Sequence, residues 1–213
     1  MEVFISIFTE RRLPMKKILN KKNIINAVFI GFFLVLIFVP AAKALMIRGL
    51  MEIGLFSADV KESSLKPAEA ISPADLSGIR FKDASGKELD LGSLKGKVIF
   101  LNFWATWCPP CLAEMPSVNK LYNQFIDDKD VVFILVDADS DLKKAQQYMD
   151  RKGYKLPVYN VAGDIPEVIF KGSLPTTVVF DKKGRLAYNE AGAANYGSEK
   201  FIDFIKKLKA SNI

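Results

Sequence analysis

The chain has 213 residues, half of them apolar and a quarter charged, with a formal net charge of +6 and no histidine. The missing imidazole excludes Ser-His and Cys-His catalysis, histidine-ligated metals and imidazole proton shuttles. Two cysteines are too few for a four-cysteine zinc site, so neither a metal nor a cofactor is expected.

The basic excess is concentrated at the start. Residues 1–23 hold Arg11, Arg12, Lys16, Lys17, Lys21 and Lys22 against Glu2 and Glu10. Residues 24–42 then carry no charge and include the run Phe32-Phe33-Leu34-Val35-Leu36-Ile37-Phe38-Val39. About 20 apolar residues cross a bilayer as a helix, and cations ahead of such a run hold that end in the cytoplasm. The charge therefore reads as a topology signal. A nucleic-acid partner would need cations on the folded domain, and none is expected. Two readings of the run fit: an uncleaved transmembrane anchor, or a signal peptide cut near Ala42-Lys43-Ala44. Both place the rest of the chain on the periplasmic or extracytoplasmic side, where disulfides persist. Met15 is an alternative start, which would leave residues 1–14 outside the protein.

Residues 43–73 read as a linker. Residues 45–47 and 50–56 fit either a short amphipathic helix on the membrane surface or a disordered tether. Pro67 and Pro73 mark the polar remainder.

The folded domain is expected over residues 74–213. A hairpin comes first, from Ile79-Arg80-Phe81-Lys82 through a turn at Asp83-Ala84-Ser85-Gly86 to Lys87-Glu88-Leu89-Asp90-Leu91. Residues 98–104 and 131–136 are nearly continuous apolar runs, the pattern of strands buried on both faces. A helix is predicted over 109–125 and another over 142–152, with Gly153 as its stop. A short strand near 157–161, a helical turn over 165–170 and a strand over 176–180 follow. After a turn at 181–184 comes a strand over 185–189. A last helix over 198–208 puts Phe201, Phe204, Ile205 and Leu208 on one face. Strands alternating with helices and a closing hairpin indicate an α/β fold with a mixed central sheet between helices.

The most specific signal is Phe103-Trp104-Ala105-Thr106-Trp107-Cys108-Pro109-Pro110-Cys111, which holds both cysteines. Two thiols with two residues between them close a small disulfide, and an adjacent helix N-terminus stabilises a thiolate. A structural staple is the plainer reading, but so short a loop hardly restrains the unfolded chain. Haem attachment of the c type needs histidine at position 112, which is Leu112.

With the flanking segments, these residues resemble the thioredoxin fold, and residues 74–213 resemble the membrane-tethered thiol-disulfide oxidoreductases of the TlpA/ResA type. The resemblance rests on four features. They are Asn102 through Cys111, the following Glu114-Met115-Pro116, the segment Gly172-Ser173-Leu174-Pro175-Thr176 before a strand, and the leading hairpin with the insert between 142 and 170. It implies a redox-active disulfide of Cys108 and Cys111, with Cys108 at the helix N-cap as the attacking nucleophile and Cys111 resolving the mixed disulfide. It implies a cis Pro175, with the Leu174 backbone free to pair with an extended substrate. Trp107, Pro109 and Pro110 complete the expected substrate surface, while Trp104 is expected in the core. Glu114 either exchanges protons with Cys111 or is a solvated helix carboxylate. Pro116 is expected to kink its helix. Many thioredoxins carry an aspartate at the position of Asn102, which cannot titrate.

The expected function is disulfide exchange with protein substrates, in the reducing direction, with electrons from a membrane or periplasmic donor. Two rivals remain. A non-enzymatic binding or chaperone module would use the same groove. A thiol peroxidase usually has threonine three residues before its reactive cysteine, where this chain has Ala105.

Overall fold

In the computed structural model, residues 21–52 and 76–211 are described. Met15, most of the basic segment and the stretch 53–73 fall outside the described residues. The chain divides after Val39 into two compact units.

The first unit contributes helix α1, Lys21–Phe38, none of whose residues is buried. It is long and apolar enough to cross a membrane by length and composition. The charge-free run does not continue as one helix to residue 42. α1 ends at Phe38, and a second helix, α2, spans Pro40–Glu52. Proline suits a first helical position, where its missing N–H has no intrahelical acceptor to lose.

In the second unit α2 precedes strands β1 (Arg80–Asp83) and β2 (Glu88–Asp90), then β3 (Val98–Trp104) and helix α3 (Pro109–Phe125). β4 (Val131–Asp137), α4 (Leu142–Lys152), β5 (Val158–Val161), β6 (Thr176–Phe180), β7 (Leu186–Ala191) and α5 (Glu199–Ala210) follow. The strands form one sheet in the order β2-β1-β5-β4-β3-β6-β7. β4 is parallel to both β3 and β5, and the outer pairings are antiparallel. This is the thioredoxin-like α/β arrangement, with β1 and β2 as its added hairpin.

The structure corrects the sequence reading at one place. Residues 43–52 are helical, in keeping with the helix reading of residues 45–47 and 50–56 and not with a disordered tether. They form most of α2, which packs on α3 through Ala44 and Met51 against Ala113. The expected helical turn at 165–170 is present as one short turn, in which the N–H groups of Ile169 and Phe170 both donate to the Pro166 carbonyl.

β3 is buried at all seven positions, and its alternation sorts the core. Val98, Phe100 and Trp104 join the cluster with α3, α4 and α5, while Ile99, Leu101 and Phe103 face the opposite cluster around Phe81 and Phe180. Burial of each large side chain contributes about 1.5–3 kcal/mol. On the α5 side, Phe201 meets Tyr196 edge-on at 4.9 Å and Phe100 at 6.3 Å. On the other side, Phe103 stacks on Phe170 at 4.2 Å. Gly153 ends α4 in the left-handed region at φ 67°, a conformation costly for residues with a Cβ.

Candidate active site

The sequence places Cys108 where β3 gives way to α3, and the structure makes it the N-cap of α3. Pro109 and Pro110 open the helix without donors of their own. The first amide of the helix able to donate belongs to Cys111, and it donates to Cys108 Sγ at 3.3 Å. The two cysteines form a disulfide with S–S 2.08 Å. Cys108 is 3% exposed and Cys111 0%. α3 continues unbroken through Pro116, so the expected kink does not divide the helix.

Trp107 is the exposed neighbour of the disulfide, at 56%. Its indole Nε1 donates to Asp139 Oδ1 at 2.6 Å. Asp139 lies just past β4, beside Ser140 at φ 56°, and the loop is tied down where the Asp141 N–H donates to Asp137 Oδ2 at 2.7 Å. Trp104 is fully buried, as expected. The Leu174–Pro175 peptide bond is cis, with Leu174 half-buried and Pro175 buried. The Pro175 carbonyl accepts from the Gly192 N–H at 2.8 Å. The loop after β7 therefore lies against the cis-proline loop.

Glu114 is not a solvated helix carboxylate: it is fully buried. Asn102 Nδ2 donates both to Glu114 Oε1 and to Thr177 Oγ1, at 2.8 Å each. The Ala194 N–H donates to Glu114 Oε2 at 3.3 Å. Desolvation dominates over these two hydrogen bonds and raises the carboxyl from its ordinary 4.5 to about 8. Tyr196, fully buried, is pushed well above the usual phenol range by burial first and then by the Glu114 charge. Asn102 does not titrate, yet it orients the carboxylate that does. Glu114 lies one turn along α3 from Cys111, on the same helix face.

Asp139, Thr177, Ala194 and Tyr196 were not foreseen from sequence. Only Asp139 left a signal there, as an acidic residue just past a buried strand. No group of three or more acidic or cysteine side chains suited to a metal occurs among the described residues.

A family profile described as Redoxin matches residues 66–203. The chain belongs to the redoxin family. Within it, this redoxin is of the TlpA/ResA-like, thioredoxin-fold kind. The thiol-disulfide oxidoreductase ResA of Bacillus anthracis is 37% identical over 127 residues, covering 59% of this chain and 72% of that protein. The thioredoxin-like protein YneN of Bacillus subtilis is 36% identical over 104 residues, covering 48% of this chain and 61% of that one. A Bacteroides vulgatus structure, provisionally assigned as a thiol-disulfide oxidoreductase, superimposes with TM-score 0.52 at 29% identity. It covers 61% of this chain and 90% of that one. With the paired cysteines, these relatives make this redoxin a protein thiol-disulfide oxidoreductase.

Proposed function

We propose that the protein is an exported, membrane-tethered reductase of protein disulfides, working through its Cys-Pro-Pro-Cys pair. The observation that carries the reading is the Cys108–Cys111 disulfide at the N-terminus of α3, in a chain that also holds a buried carboxyl one turn along that helix. α1 is the anchor, the basic residues ahead of it stay in the cytoplasm, and the domain acts on the extracytoplasmic side. The cations ahead of α1 support this orientation.

In the reduced protein the Cys108 thiolate attacks a client disulfide. A Cys108–client bond forms, the client S–S bond breaks, and one client thiolate leaves. Cys111 loses its proton and attacks Cys108 Sγ. The Cys108–Cys111 bond forms and the second client thiolate leaves, so two electrons have passed from the protein to the client. Glu114, with its pKa near 8, is suited to exchange the Cys111 proton close to neutral pH. Trp107, Pro109, Pro110, Leu174 and Pro175 form the client surface, the Leu174 backbone pairing with an extended segment. A dithiol protein in the membrane or periplasm restores the reduced pair.

The reducing direction follows from the helix N-terminus. Pro109 and Pro110 remove two amides that would stabilise a thiolate, and Leu112 adds no cation. A less stable thiolate makes a less stable reduced form. The potential is then nearer thioredoxin's, about −270 mV, than that of the oxidant DsbA, about −120 mV.

Insulin reduction tests this. Cys108→Ala abolishes it, and Cys111→Ala leaves clients covalently attached at position 108. A Cys108→Ala protein as active as the parent would overturn the enzymatic reading and leave a binding module. External protease that cuts residues 76–211 free while α1 stays in the membrane fraction supports the tether. A mature soluble protein starting at Leu45 would overturn it in favour of a cleaved signal.

A further inference from the structure

Helix α2 packs on α3, the helix that carries Cys111. Its residues Ala44, Ile47 and Met51 share one face, at i, i+3 and i+7, and meet Leu112, Ala113 and Ala193. Ala44, Met51 and Ala113 are buried by this contact. Leu112 directly follows Cys111. Ala193 directly follows Gly192, whose N–H donates to the Pro175 carbonyl. The covered patch thus adjoins the disulfide through one chain neighbour and the cis-proline loop through the other. A protein that brings its own cysteine to Cys108, itself only 3% exposed, must lay flanking residues close to this patch.

The patch is apolar and small-featured, suited to aliphatic side chains. α2 offers it one alanine, one isoleucine and one methionine. Residues 53–75 join α2 to the rest of the unit covalently, so the helix meets its seat as an intramolecular partner. The intramolecular contact therefore stays formed until a competing segment is brought in by reaction at Cys108.

Resting on the oxidoreductase reading above, we infer that Leu112, Ala113 and Ala193 form a docking surface for apolar client segments. The chain's own α2 occupies it until a client displaces the helix. α2 competes with proteins and not with small disulfides, which reach Cys108 without covering the patch. The enzyme is thereby restrained toward poorly fitting proteins while its dithiol chemistry stays intact.

The test uses the full chain in detergent micelles. Ala44→Glu puts a carboxylate into the buried contact. Insulin reduction is expected to rise several-fold, while the rate with a small aromatic disulfide stays at the parent's. An active parent whose Ala44→Glu variant is no faster on insulin overturns the competition. A parent inactive on both substrates overturns the oxidoreductase reading itself. Should the variant lose both activities by misfolding, hydrogen exchange in the Cys111→Ala protein decides. α2 amides are expected to exchange faster once an insulin chain is trapped on Cys108. Unchanged α2 protection in that complex overturns the inference. So does protection that rises with protein concentration, which would make the occupant a second copy's helix.

Discussion

The Glu114→Gln substitution isolates the one carboxyl of the site that burial holds near pKa 8. The unfolded chain ionises this group near 4.5, while the folded protein keeps it protonated until about 8. Its folded pKa is raised, so its favourable contribution is complete below pH 4.5 and is lost as pH climbs toward 8. Within that window the parent loses about 1.4 kcal/mol of stability per pH unit from this group. The substituted glutamine carries no such dependence. Its amide oxygen still accepts from Asn102, but its NH2 faces the Ala194 N–H that Glu114 Oε2 accepts. Losing that acceptor costs about 1–3 kcal/mol. The variant is therefore the less stable protein at pH 5, the two cross between about pH 5 and 7, and the variant is the more stable at pH 8. Urea unfolding of both oxidised full-length proteins in mild detergent, followed by fluorescence of buried Trp104 from about pH 5 to 8.5, reads this difference. Other titrating groups, including buried Asp137, are common to both proteins and cancel. Parallel stability curves across the window would refute the buried, protonated Glu114.

Other perturbations probe the rest of the site and core. Pro109→Gly restores an amide near Cys108 Sγ. The Cys108 pKa should fall and the potential rise, measured by thiolate absorbance and glutathione equilibration; a higher pKa would show that the missing amide does not control this thiol. Asp139→Ala removes the acceptor for the Trp107 indole. It should raise KM for insulin a few-fold with kcat nearly unchanged, whereas equal losses on insulin and small disulfides would mean general damage. Phe201→Ala opens a cavity among Phe100, Tyr188, Tyr196 and Phe204 and should cost about 3–5 kcal/mol in urea unfolding. A loss under about 1 kcal/mol would mean that this aromatic cluster collapses around the gap.

The sequence by itself determined what depends on near neighbours. Seven consecutive apolar or amide residues made β3 a doubly buried strand. The 3.6-residue spacing of Phe201, Phe204, Ile205 and Leu208 made α5, and Gly153 closed α4. The Cys-Pro-Pro-Cys spacing made the disulfide, because its two sulfurs sit within one helical turn. Tertiary structure decided the rest. Whether Glu114 is charged depends first on its burial, and then on Asn102, twelve residues away, and Ala194, 80 residues away. The setting of Trp107 depends on Asp139, 32 residues on. α2 carried its signal in the apolar residues 45–47 and 50–56, but an apolar face fits a membrane surface and a protein groove equally well. Its seat was decided by Leu112, Ala113 and Ala193, which only the folded chain brings together, because desolvation and packing act between neighbours in space whatever their separation along the chain.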